Sequence, residues 1–377
     1  MSAHAAWNSP RPLAGCRVLD LSLLLPGPYC TWLLACFGAE VIKVEPPTGD
    51  PVRRMNPALF AMLNRGKQSV VLDLKQAQGR EALLAMVAEA DILVEGFRPG
   101  ALERLGLSVQ TLMEVQPRLV VGSISGFGWT GPYRDHPGHD IGFLSLAGYF
   151  AVPSQLDHQL VRPQIRLADM VAGQSAALAL AMARAQVQQT GKGCHVDASI
   201  YDATMGWTAP MMLGSPADKA PAELAHVMAD SALYRTADGR HLCIATLEDK
   251  FWTNFAQAVS DLAPALGDAR WHTRQGRDQH KQALAEALAQ AIATQPLSVW
   301  MDRLQGVDTA VEPVYTGREA LEDPHAQARG FFTQRTADDG QPELFFPAMF
   351  DGHKHPPLGP APALGQGPAE RFTKPLS

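Results

Sequence analysis

An α/β fold, with a mostly parallel sheet covered by helices and a smaller α+β unit beside it, is what this 377-residue sequence predicts. Three observations carry that expectation. The first third alternates short β-branched runs with longer helical patterns, the succession that builds a parallel sheet. Near Tyr234 the texture changes to a hairpin followed by helices. The length, at ~150 residues per domain, points to two compact units.

Arg17–Leu21 reads as the first strand and Pro28–Phe37 as the first helix, ended by Gly38. Val41–Val44 and Ser69–Leu72 are the next strands. Within Glu81–Ala90, residues Leu83, Leu84, Met86 and Val87 lay an apolar stripe on a helix. Asp91–Glu95 is a strand, Val109–Val115 part of a helix, and Leu119–Ser125 another strand. Met170–Gln188, dense in alanine and leucine, is a long helix followed by a turn at Gly191–Gly193, and Val196–Ile200 is one more strand. Further on, Leu233–Thr236 and His241–Ala245 flank Asp238-Gly239, a good hairpin turn. Helical patterns follow at Lys250–Val259, Gln279–Ala293 and Ser298–Leu304. Seven prolines between Pro347 and Pro375 keep the end of the chain out of a helix, so an extended tail that wraps over the fold is expected. Residues 1–215 and 330–377 are expected to form the large domain and 225–325 the small one.

Composition narrows the function. With 46% apolar and 19% charged residues the chain is globular rather than disordered. Thirty-two basic against thirty-eight acidic side chains leave a net charge of −6, which argues against a general nucleic-acid binder. An anionic ligand would need a local basic cluster. The longest apolar stretches stop at Pro26 or Arg184, short of a membrane span, and the opening residues lack a secretory pattern. Cys16, Cys30, Cys36, Cys194 and Cys243 are odd in number and form no C-x-x-C. That speaks against a disulfide framework or zinc ribbon and suits a reducing cytoplasm.

Ligands of open α/β sheets sit beyond the carboxyl ends of the strands. Three loops leave strands there with glycine, proline and basic residues: Val44–Arg54, Glu95–Gly100 and Gly126–His139. With Lys43, Arg65 and Lys67 they are either a phosphate-binding cluster or solvated loop tips. Gly126, Gly128 and Gly131 match G-x-G-x-x-G, but Pro132 and Pro137 forbid the helix that a dinucleotide fingerprint requires. His136, His353 and His355 lack the helical pairing and carboxylate partner of a metal site, so no metal is expected. No G-x-S-x-G elbow is present.

His139-Asp140 closes the third loop and precedes an apolar run, Ile141–Ala147. Histidine is the side chain whose charge changes near neutral pH. Asp169 interrupts the apolar segment Leu167–Gly173 at the start of the long helix. It is either an N-cap or a carboxyl whose apolar surroundings make it a base or nucleophile.

The segments RVLDLSLLLPGPYCTWLLACFGAEVIKVEPPTGD, NRGKQSVVLDLK, DILVEGFRPGALERLGL, RLVVGSISGFGWTGPY, GHDIGFLSLAG, GKGCHVDASIYDA and EDPHAQARGFF, in that order, resemble the family III CoA-transferase and α-methylacyl-CoA racemase superfamily over most of the chain. The resemblance implies a Rossmann-like large domain, a smaller α+β domain, and a homodimer of interlocked chains. It implies coenzyme A, presented as an acyl-CoA thioester. Lys43 and Arg98 match residues that hold the nucleotide end, with Arg65 a further candidate.

Two chemistries compete within that superfamily. The racemases are similar to this chain at His139, Asp169 and Glu248. Inverting a carbon beside a thioester needs a base on one face and an acid on the other, the work of His139 and Asp169. Asp140 and Glu248 would orient or tune His139, and backbone N–H groups near Asp169 would hold the enolate oxygen. The transferases share the aspartate, usually without the histidine, and use it as a nucleophile. Departures from the racemase pattern keep that alternative open: Gly142 and Phe143 replace an amide and a phenol, Asp169 has fewer flanking glycines, and Cys36 stands where many members carry aspartate. A non-catalytic acyl-CoA-binding chain is the third reading, against which joint retention of His139, Asp169 and Glu248 speaks. Trp207–Leu213 is an acyl-pocket lining or ordinary core.

Overall fold

The central strands of the first unit are short and buried on both faces, which is why they read as continuous apolar runs. The computed structural model describes residues 11–157, 159–214, 219–336 and 342–367. Its contacts divide into two units. One comprises residues up to Tyr149, Arg162–Thr208 and the chain from His325 on; the other comprises Phe150–Val161 and Ala209–Pro324. The sequence held no sign of the 150–161 excursion into the second unit.

In the first unit β1 (Arg17–Asp20) leads to α1 (Pro26–Cys36) and β2 (Glu40–Glu45). The helices α2 (Val52–Met55) and α3 (Pro57–Leu63) precede β3 (Gln68–Val71) and α4 (Ala77–Val87). Next come β4 (Ile92–Glu95), α5 (Val109–Val115), β5 (Val120–Ser125), α6 (Asp140–Leu146), α7 (Leu167–Thr190), β6 (Cys194–Ser199) and α8 (Ile200–Gly214), the last counted in this unit up to Thr208. The six strands are parallel in the order β3-β2-β1-β4-β5-β6. Strand order therefore reverses between β1 and β4, so the loops leaving these two strands border the natural ligand crevice. The first helix starts at Pro26, ahead of the expected Pro28. Prolines suit the first turn, whose N–H groups have no helical partner.

One face of the sheet buries Leu19, Ile42, Val70, Leu93 and Val121 against Leu83, Met86 and Leu112 of α4 and α5. On the other face α7 lies close because two glycines leave room. A Cβ at Gly122 of β5 would stand 2.7 Å from Leu180 Cδ2, and one at Gly173 of α7 would stand 2.6 Å from the Pro26 carbonyl oxygen. Up to residue 367 the tail is extended and covers the β3 edge, while Pro368 and Pro375 lie outside the described residues. Ser69 N–H donates to the Gln366 carbonyl at 3.2 Å and Gly66 N–H to that of Pro360 at 3.3 Å, which removes an exposed strand edge.

In the second unit β7 (Ser231–Arg235) and β8 (His241–Ala245) form the expected hairpin, extended by β9 (Val311–Pro313) in the order β7-β8-β9, antiparallel throughout. Helices α9 (Asp249–Ala258), α10 (Arg274–Gln279), α11 (Lys281–Ile292) and α12 (Leu297–Leu304) belong to the same unit, whose core holds Trp252, Phe255, Trp271 and Trp300. The helix expected over 279–293 is α11, which begins at Lys281; α10, not expected from the sequence, precedes it and ends before His280. There Arg277 turns its fully buried guanidinium onto Asp230 at 2.6 Å. Strand β9 and helices α6 and α8 lie in stretches the sequence pattern left unassigned.

Candidate active site

Asp140 is the hinge of the candidate site. It is buried at the first position of α6, and its Oδ1 accepts the backbone N–H of Ala168 at 2.9 Å and of Asp169 at 3.3 Å. Those N–H groups open α7, whose N-cap residue, Arg166, supplies no side-chain cap. A carboxylate from 28 residues away thus caps the long helix, where both orphan N–H groups and the helix dipole favour an anion.

This corrects two expectations. Asp169 is not an N-cap but the third residue of the helix. Of the backbone N–H groups near Asp169 expected to hold an enolate oxygen, those of Ala168 and Asp169 are taken by Asp140.

Asp169 itself is half-buried. Burial raises its carboxyl, the negative charge of Asp140 raises it further, and Arg166 opposes both; the balance leaves it at about 7. A carboxyl poised there both takes and gives a proton at neutral pH. His139 stands one residue before the cap, its Cα ~3.8 Å from that of Asp140 across a trans peptide. Its carbonyl accepts Gly142 N–H at 2.7 Å and Phe143 N–H at 3.2 Å, starting α6. Its imidazole is exposed and hydrogen-bonds no other described residue. His139 and Asp169 are thereby joined through one buried carboxylate.

Behind them Phe143 is 2% exposed and packs edge-on to Phe127 at 5.2 Å. A Cβ at Gly138 would come within 2.6 Å of the Phe143 ring, so the glycine before His139 makes room for the aromatic core. A phenol at position 143 would be buried in that core. His136 joins the cluster, 5.9 Å from Phe127. Buried His355 accepts Phe346 N–H at 2.9 Å. Among the described residues no three histidine, cysteine or carboxylate side chains group as a metal site would need.

The basic residues separate into two sets. Arg98 is exposed on the β4 loop and makes no hydrogen bond or ion pair with another described side chain. A Cβ on Gly100, two residues on, would stand 3.5 Å from both Arg104 Nη1 and Arg134 Nη2. Two guanidinium groups and, at 3.7 Å from the same point, the Glu103 carboxylate therefore stand beside the loop that carries Arg98. Arg104 and Arg134 were not singled out from the sequence. Only folding brings the Gly126–His139 loop beside the β4 loop.

Lys43 and Arg65 are different. Lys43 is fully buried, pairs with Asp50 at 3.0 Å and donates to the Ser22 carbonyl at 2.8 Å. Arg65, 1% exposed, reaches the Gly359 carbonyl of the tail at 3.4 Å. Both cations, expected to hold the nucleotide end of coenzyme A, are thus buried with partners inside this chain. Lys67 is likewise internal, 3.0 Å from Asp20. Burial drives its ammonium down to about 8 against the pull of Asp20. Burial pushes the Asp20 carboxyl up, but Lys67, Lys43, Ser22 and Thr31 together hold it well below the usual carboxylate range.

Glu248 belongs to the second unit, exposed at the N-cap of α9. Its carboxylate hydrogen-bonds no described residue, whereas neighbouring Asp249 pairs with Arg277 at 2.9 Å. Trp207 and Leu213 of α8 are 58% and 89% exposed, so neither belongs to the core of this chain.

The model of the CoA-transferase family III matches residues 13–367. The chain is 36% identical over 337 residues to succinyl-CoA--D-citramalate CoA-transferase of Chloroflexus aurantiacus, covering 85% of this chain and 82% of that one. It is 29% identical over 367 residues to the α-methylacyl-CoA racemase of Mus musculus, covering 95% and 87%. In three dimensions it is similar to a CAIB/BAIF family protein from Brucella suis, with a TM-score of 0.82, 28% identity, and coverage of 95% and 97%. No helix among the described residues is long and apolar enough to cross a membrane.

Proposed function

Because the chain belongs to the CoA-transferase family III, whose curated relatives are enzymes of CoA thioesters, we propose that it catalyses proton transfer at the carbon next to an acyl-CoA thioester, as an α-methylacyl-CoA racemase does. The observation that carries this reading is the Asp169 carboxyl held at about 7 at the end of a helix capped by the residue after His139. Removing a proton from one face and returning it to the other requires two groups that each alternate between acid and base. The His139 imidazole and the Asp169 carboxyl fill those roles, exchanging them between enantiomers. Asp140 acts as the positioning residue that holds one relative to the other. Arg98, with Arg104 and Arg134, binds the phosphates of coenzyme A. For Glu248 the support is its match to the racemases, and Glu248→Ala is its test.

In deuterium oxide the protein should exchange the α-hydrogen of a 2-methylacyl-CoA with no acid acceptor present. His139→Ala should lower that exchange by ~10²–10⁴-fold. Undiminished exchange by the variant would overturn the proposal.

A second reading, CoA transfer, is favoured by the 36% identity to a CoA-transferase. The Asp169 carboxylate would attack the thioester carbonyl and expel CoA thiolate, leaving a mixed anhydride. The thiolate would then attack the aspartyl carbonyl, releasing the first acid and leaving an aspartyl-CoA thioester. Hydroxylamine trapping at Asp169, together with CoA transfer that survives His139→Ala, would select this route.

The resemblance also supports an interlocked homodimer. On α7, Leu178 is 64% and Met182 60% exposed, one turn apart, an apolar pair that a second copy would cover. Sedimentation should give twice the 40.7 kDa chain mass; a monomer at micromolar concentration would exclude the dimer.

A further inference from the structure

The polar residues at the carboxyl ends of β4, β5 and β6 do not all belong to the surface. Glu95 ends β4, 3% exposed, directly opposite fully buried Ser123 of β5. Ser123 in turn stands opposite Asp197 of β6, with His195 two residues earlier on the same face. The Glu95 carboxyl is hydrogen-bonded to Ser123, and Ser123 Oγ lies 2.9 Å from His195 Nε2. The other end of the relay is the ligand loop: Phe97 N–H donates to Glu95 Oε2 at 2.7 Å. The Phe97 side chain packs on the central core. Immediately after it, Arg98 turns outward, and Ala101 N–H closes the loop on the Arg98 carbonyl at 3.0 Å.

We propose that Glu95 is a positioning residue for acyl-CoA binding, tying the loop that presents Arg98 to Ser123 and His195 across three strands. The inference rests on the reading of Arg98 as a phosphate-binding residue. A loop guanidinium binds well only where its backbone is already placed, since otherwise ordering the loop opposes association. Glu95 supplies that order from inside the fold, with one oxygen on Phe97 N–H and the carboxyl bound to Ser123.

The protonation states agree with this arrangement. Burial raises the Glu95 carboxyl to about 7, Asp197 adding to the effect against the hydrogen bonds of Ser123 and Phe97. Burial also lowers His195, against the pull of Asp197. A neutral acid donating to Ser123 Oγ, whose hydroxyl donates to a neutral His195 Nε2, links the three side chains without burying a charge. Trp129 closes the outer side, its ring centroid 4.7 Å from that of His195 and its backbone N–H donating to Asp197 Oδ2 at 2.9 Å.

The test is the dissociation constant of free coenzyme A, by calorimetry, for wild type, Glu95→Ala, Glu95→Gln and Arg98→Ala, each checked for a native melting transition. Glu95→Ala should weaken binding roughly tenfold, the worth of a lost buried hydrogen bond. Glu95→Gln, whose amide accepts from Phe97 and donates to Ser123, should bind within about threefold of wild type by the same reckoning. If the alanine variant does not fold, Glu95→Asp replaces it. The shorter acid cannot span both partners and should fall with alanine while glutamine holds. Wild-type affinity in the alanine or aspartate variant, or a glutamine variant as weak as alanine, overturns the inference. Unchanged affinity in Arg98→Ala overturns instead the assignment of Arg98, whatever the Glu95 variants do.

Discussion

Asp140 accepts the backbone N–H of Asp169 at 3.3 Å and that of Ala168 at 2.9 Å, so the corner carrying His139 is bonded to the helix start carrying Asp169. Removing this carboxylate leaves two N–H groups of a partly buried helix end without a partner. Asp140→Ala should therefore cost about 1–3 kcal/mol in urea unfolding and lower α-hydrogen exchange by more than that loss of stability explains. Asp140→Asn, which keeps an acceptor oxygen, should recover most of the stability. An alanine variant with the wild-type unfolding midpoint would contradict the role.

The pH dependence follows from Asp169. Acting as base requires its carboxylate, so kcat/KM in that direction should show an ascending limb near pH 7. Asp140→Asn removes the charge that adds to burial, and the ascending limb should move to lower pH. An unmoved limb would assign the titration to another group.

Stability should show the opposite slope. The folded value of about 7 lies above the ordinary 3.8, so the contribution of Asp169 is fully present below pH 4 and is lost as pH rises through 7. Asp169→Asn should accordingly be more stable than wild type above pH 7, by about 1–3 kcal/mol. That advantage should fade toward pH 4. Parallel stability curves would refute the linkage.

Gly173 follows Asp169 by one helical turn, and a Cβ there would meet the Pro26 oxygen at 2.6 Å and Tyr29 Cδ1 at 2.9 Å. Gly173→Ala should push α7 off α1, destabilising by about 1–3 kcal/mol. Because the shift begins beside Asp169, exchange activity should fall further than the folded fraction. Full activity at reduced stability would separate the packing from the site.

The internal lysines make a contrasting prediction. Asp20→Ala leaves the Lys67 ammonium buried without its carboxylate and should cost about 3–5 kcal/mol, whereas Asp20→Leu combined with Lys67→Met should regain much of it. Coenzyme A affinity of the folded protein should be unchanged in the double variant. Weakened binding there would return Lys67 to the ligand shell.

Much of the fold is legible in the order of residues. A parallel strand buried on both faces must be a β-branched run, and β1, β2, β4 and β5 announce themselves that way. The proline-rich tail is legible for the reason that it cannot be helical. The short helices α2, α3 and α6 are not, because each has two turns or fewer and too few residues to show a period.

Charged residues divide along the same line. Arg98 stands out because its loop leaves a strand beside the point where strand order reverses. Lys43 reads as equally eligible, for a cation at the end of a strand looks the same whether it meets a phosphate or Asp50. What the sequence by itself determined was the alternation of strands and helices, the resemblance over nearly the whole chain, and the residue types present at 98, 139 and 169. What only the tertiary structure decided was which cations are internal, that Asp140 caps the helix of Asp169, and that Arg104 and Arg134 stand beside Gly100 of the Arg98 loop. Backbone periodicity is local and is written along the chain. Desolvation and charge pairing depend on neighbours tens to hundreds of residues away, which only folding selects.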